Sequence, residues 1–155
     1  MSNDIIEVQA KQVSDIKVSE RSIAELKERI GMMKTFVKEQ LNEGIHNDYA
    51  VIPGTQKQTL LKPGAEKLLL LFGLGFRFEI LNSVIDFASS EVSFLVKCEG
   101  FRKATKEVMG EYIAFCSNQE KKYVRQNASD ITNTILKMAE KRALVGMTIS
   151  VTVGS

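Results

Sequence analysis

Lys121, Lys122 and Arg125 enclose Tyr123. In such a grouping the cations can take phosphates while the aromatic ring offers a face to an unpaired base. More charge of the same sign lies nearby. From residue 102 to residue 125 the chain carries Arg102, Lys103, Lys106, Lys121, Lys122 and Arg125 against only Glu107, Glu111 and Glu120. Lys57 and Lys62 flank a turn-rich stretch upstream, and Lys137, Lys141 and Arg142 form a further basic patch. Lys137 and Lys141 share a face if that segment is helical. The chemistry these residues suit is capture of a polyanion, with no bond made or broken. A solvated surface uses the same residue types, so the weight rests on their clustering.

Signals of catalysis are few. His46 is the single histidine, and it sits at an expected helix end. No HExxH, CxxC or Walker pattern is present. The GLGF stretch at Gly73 to Phe76 ends a helix, whereas a dinucleotide loop begins one. Asp86, Glu91, Glu99, Glu107 and Glu111 could be collected into a metal site. However, Glu99, Glu107 and Glu111 alternate with apolar residues, as solvent-facing strand positions do. The residues therefore lead us to expect no catalytic residue, no metal and no cofactor. Cys98 and Cys116 are too few for a disulfide framework. They are expected on neighbouring strands, with Cys98 opposite Glu111, as reduced core residues of a cytoplasmic protein.

The totals agree. A chain of 155 residues with 44% hydrophobic content can bury a core. A net charge of +2 does not by itself announce a nucleic-acid binder. The N-terminus lacks a basic region leading into an apolar run, and Leu68 to Phe72 is too short to span a bilayer. No membrane association is expected.

The elements that must position these residues can be read from periodicity. Residues 1–19 are weakly patterned and read as a flexible arm, with a single domain over 20–155. Ile23, Leu26, Ile30, Met33 and Val37 form one apolar stripe of a helix from Ser22 to about Asn42, stopped by Gly44. Pro53-Gly54 fits a type II turn between short strands at Tyr49 to Ile52 and Gln58 to Leu61. Pro63 opens a helix that ends at Gly73. Period-two patterning then predicts three strands around Phe76 to Leu81, Val92 to Glu99 and Val108 to Phe115, paired as an antiparallel meander. Ser129 or Asp130 should cap a last helix whose apolar side is Ile131, Ile135, Met138, Ala139 and Val145, and which Gly146 ends. The residues after it, MTISVTVGS, have strand character. The fold class is α+β: helix, small hairpin, helix, three-stranded meander, helix.

Two segments, YAVIPGTQKQTLLKPGAEKLLLLFGL and NTILKMAEKRALVGMTISVT, resemble phage and mobile-element proteins akin to the Rad52-type single-strand annealing proteins. They cover roughly a third of the chain closely. Gly146 stands where the resemblance leads one to expect Asp, and an acidic tail would follow Ser155. The resemblance implies a Rad52-like β-β-β-α core that assembles into homo-oligomeric rings or filaments. Single-stranded DNA would lie in a basic outer groove and anneal to a complementary strand, without cofactor, in recombination and repair. A phage exonuclease or single-strand-binding protein would be a further partner. On this reading Lys57 and Lys62 lie near DNA or a subunit boundary. Lys103, Lys106, Lys121, Lys122 and Arg125 contact phosphates and Tyr123 stacks. Lys137, Lys141 and Arg142 meet DNA or a neighbour's acidic residues. Pro53, Gly54, Pro63 and Gly64 are structural. A track repeated around a ring would also let a modest charge per subunit act as a continuous basic surface.

Two other classes stand beside this one. The first is a non-enzymatic module that binds a host protein, marked by an exposed apolar patch. The second is a metal-dependent nuclease built on Glu99, Glu107 and Glu111.

Overall fold

The computed structural model describes residues 19–153. They form three helices and two antiparallel sheets, a mixed α+β architecture. The chain divides between Gln40 and Leu41 into two compact units. The first contains α1 (Glu20–Gln40), and Ser19 caps it by accepting the Ser22 N–H on its hydroxyl at 3.1 Å. No residue of α1 is buried. All but Ser19 of the expected arm lies outside the described residues.

The second unit opens with β1 (Tyr49–Val51) and β2 (Gln58–Leu60), joined by the expected Pro-Gly turn. Gly54 has φ of +89°, and Thr55 N–H donates to the Ile52 carbonyl at 2.9 Å. Helix α2 (Lys62–Leu71) starts with Pro63 in its first turn and stops at Gly73, where φ is +64°. Strands β3 (Leu74–Asp86), β4 (Glu91–Arg102) and β5 (Val108–Ser117) follow as an antiparallel meander in the order β3-β4-β5. Helix α3 (Ala128–Val153) lies across one face of this sheet.

The core forms between that face and α3. From the sheet come Val92, Phe94, Val96, Cys98 and Cys116; from the helix come Ile131, Ile135, Ala139, Ala143, Leu144, Met147 and Val151. Leu69 of α2 joins the same cluster. Strand glycines let α3 come close. A Cβ on Gly100 would lie 2.4 Å from the Met147 sulfur, and one on Gly110 would lie 2.8 Å from Val151.

Four expectations need correction. First, α3 does not end at Gly146 but runs to Val153. The strand-like residues stay helical because Met147 and Val151 are needed on the core face. The Thr148, Ser150 and Thr152 hydroxyls meanwhile bond the carbonyls four residues back, at 2.8, 2.9 and 2.7 Å. Val145, expected in the core, is only partly buried. Second, the α3 cap is Asn127, whose side-chain oxygen accepts the Ser129 N–H at 3.1 Å. Third, Cys98 faces Tyr112, and Glu111 faces Glu99. The pairing passes from Phe101↔Val108 to Gly100↔Gly110, so Met109 is an extra residue that shifts the register by one. Fourth, the β3 alternation breaks at Leu81 by the same device, between Ile80 and Asn82. Among the described residues no helix is long and apolar enough to cross a membrane.

Candidate nucleic-acid interface

The first motif folds around one buried carboxylate. Asp48 is 2% exposed, and its Oδ2 accepts the Asn42 N–H at 2.8 Å and the Lys67 ammonium at 2.7 Å. Burial pushes its carboxyl up, but the Lys67 and Asn42 hydrogen bonds outweigh this and hold it below the usual carboxylate range. The Asp48 carbonyl accepts from Leu61 at 2.8 Å. That carbonyl would sit 2.4 Å from any Cβ on Gly64. Asp48, Gly64 and Lys67 thus join the hairpin to α2, which gives Gly64 the structural role expected of it.

Between the hairpin, β5 and α3 runs a cleft of about 770 Å³. The hairpin side presents Val51, Ile52 and Pro53, and β5 presents Tyr112, Ile113 and Phe115. The α3 wall carries Lys141, Arg142, Val145, Gly146 and Ile149, and Lys122 stands at the margin. Tyr112 and Phe115 keep 46% and 53% of their exposure; Tyr112, opposite buried Cys98, lies on the α3 side of the strand, while Phe115, opposite Leu95, lies on the other face at the rim of the cleft. Sequence reasoning missed Tyr112, Ile113 and Phe115. Their signal was the near-continuous apolar run on β5, in both phases of the alternation; among the described residues β5 is an edge strand.

The expected basic residues fall into separate groups. Lys122 and Lys141 are brought to the cleft, and neither has a carboxylate within ion-pair distance among the described residues. Lys122 lies over the Tyr123 ring, 4.6 Å from its centroid. Lys121 and Arg125 are exposed in the same loop, and Lys137 is exposed one turn before Lys141. Lys103 and Lys106 sit at the β4–β5 turn beside a second depression, of about 650 Å³, that also includes Glu66 and Phe101. Lys106, at φ of +63°, places its ammonium 5.5 Å from the Phe101 ring centroid. Lys57 is exposed on the hairpin turn, and Lys62 pairs with Glu66 at 3.7 Å.

Two of the expected roles change. Tyr123 is 6% exposed and belongs to the core, so its ring has no face for a base. Arg142 forms a two-pronged pair with its own chain's Glu120, at 2.7 and 2.8 Å, and also donates to the Phe115 carbonyl at 2.8 Å. The Arg142 hydrogen bond holds Glu120 down to about 2. Arg142 therefore fixes the loop carrying Lys121 and Lys122 against α3 and β5.

The glutamates of the nuclease alternative each face a cation: Glu99 meets Arg77, Glu107 meets Arg102 at 3.5 Å, and Glu111 meets Lys97 at 3.9 Å. Among the described residues no three His, Cys, Asp or Glu side chains converge as metal ligands. Arg77, Glu79, Lys97, Glu99 and Glu111 thus pair with one another across the open face of the sheet, while Lys121, Lys122 and Lys141 lie around the cleft and loops. No family model, curated protein or solved structure matches the chain.

Proposed function

We propose that this protein binds single-stranded DNA along the cleft between the hairpin, β5 and α3, and anneals complementary strands as a homo-oligomer in recombination of a phage or mobile element. The observation that carries this reading is the placing of Lys122 and Lys141 on one groove with the half-exposed Tyr112, and with Phe115 at its rim. Cations along the backbone and rings beneath the bases are what sequence-tolerant single-strand binding requires. The order β3-β4-β5-α3 is the β-β-β-α order that the Rad52-like reading calls for. Phe115 takes the stacking role first given to Tyr123. Lys121, Arg125 and Lys137 extend the basic track, and Lys103 and Lys106 would serve a second contact.

The test is fluorescence anisotropy of labelled single-stranded and duplex oligonucleotides at two salt concentrations, read with light scattering. Salt-sensitive preference for single strands by a large oligomer is expected. Lys122→Ala with Lys141→Ala should lower the log–log salt slope by about 0.7 for each phosphate no longer neutralised. Phe115→Ala should cost about 1–3 kcal/mol per stacked base. A monomer with no single-strand affinity overturns the reading.

A further inference from the structure

Helix α1 carries an apolar stripe of which no residue is buried. Ile23, Leu26 and Ile30 keep 44%, 50% and 39% of their exposure, and Met33 and Val37 are partly exposed. Their spacing is three, four, three and four residues. That is the seam spacing of a heptad repeat, with Phe36 widening it at the C-terminal end. β-Branched Ile23, Ile30 and Val37 take the first seam position, and Leu26 and Met33 the second. This is the combination that suits pairing of two helices.

The residues flanking the seam say what kind of helix fits. Lys27 and Lys34 lie along one side, with Glu20 a heptad earlier at the helix start, and Arg29 lies along the other, so three of the four charged flanking positions are basic. Glu25, Glu28 and Glu39 lie away from the seam, and Arg21 pairs there with Glu25 at 3.0 Å. Two parallel copies of α1 would set Arg29 of each against Lys34 of the other. A bilayer surface is a poorer fit because the far face carries glutamates.

We infer that α1 is a docking helix for a partner protein's amphipathic helix, one with aliphatic seam residues and acidic flanks. Paired that way, the partner covers the stripe and its carboxylates meet Lys27, Arg29 and Lys34. It rests on residues of the first unit alone, none of which lines the cleft.

The probe is a labelled three-heptad peptide with Ile and Leu at its seam and Glu at every flanking position. Its twin carries Lys at those flanks, and both are titrated against the full chain. The acidic peptide should bind at least about tenfold tighter than the twin and weaken with salt. Leu26→Glu with Ile30→Glu should abolish binding while the melting of the remaining unit stays unchanged. Reversing Lys27, Arg29 and Lys34 to Glu should switch the preference to the basic twin, which a loss of helix alone would not do. Equal binding of the two peptides, or none, overturns the proposal. Self-association lost on Ile30→Glu would assign the seam to a second copy instead. Tighter binding to phosphatidylserine-containing vesicles than to the acidic peptide would assign it to a membrane, and either result overturns the proposal.

Discussion

The Tyr112 ring lies against the backbone of Gly146: a Cβ on residue 146 would meet ring carbons at 2.4, 2.5 and 2.6 Å. Glycine inside a helix ordinarily costs about 1 kcal/mol relative to alanine, yet here it makes room for a strand residue. Gly146→Ala should therefore destabilise the protein by about 1–2 kcal/mol despite better helix propensity. In a Tyr112→Ala background the same change should stabilise it. A double-mutant cycle in urea checks this, and additivity of the two changes would refute the contact.

Glu120 ties stability to acid pH. Its folded pKa, about 2, lies below the ordinary 4.5 because Arg142 donates to the ionised form. A depressed carboxylate contributes stability that is full above the unfolded value and lost as pH falls through the folded one. The loss should therefore fall between roughly pH 4.5 and pH 2. Glu120→Gln should cost about 1–2 kcal/mol at pH 7, a figure kept low because both side chains stay partly exposed, and little of that cost should remain at pH 2. Thermal melts across that range decide it.

Gly64→Ala tests the join between hairpin and α2. Its Cβ would strike the Asp48 carbonyl, which is backbone and cannot swing aside. A loss of about 2 kcal/mol, or roughly 5–10 °C in Tm, is expected. Asp48→Asn keeps the shape but removes the charge opposite Lys67, and should cost about 1 kcal/mol.

The two thiols should be inert in the native protein. Burial pushes Cys98 up to about 12 and Cys116 up to about 11, so neither forms thiolate at neutral pH. They face Tyr112 and Phe94 rather than each other. Thiol titration should find no fast-reacting cysteine until denaturant is added, and two afterwards. Rapid native labelling would show that the sheet opens easily.

How far the sequence could be read followed how local each feature is. Pro53-Gly54 and Pro63 dictate their own backbone, so the hairpin and the α2 start were legible. Register was not, because the extra residues Leu81 and Met109 leave no mark on an apolar alternation. The last turns of α3 looked like a strand because Thr148, Val151 and Thr152 are β-branched; burial against Gly100 and Gly110 outweighs that preference. The basic residues were found, but not which were already occupied. Arg142 meets Glu120 22 positions away in sequence, and that pairing is fixed only by folding. The cleft joins Ile52, Phe115 and Val145 from three distant segments, which no window along the chain can bring together.

The placement of α3 across the sheet has a consequence in time. During synthesis β4 and β5 emerge first, with Val92, Val96 and Cys98 facing water until the helix that covers them follows. At 5–20 residues per second, the stretch from Ser117 to Val153 takes roughly 2–7 s to make. For those seconds the nascent meander has two open edges and an uncovered apolar face, which makes it a substrate for whatever guards emerging chains.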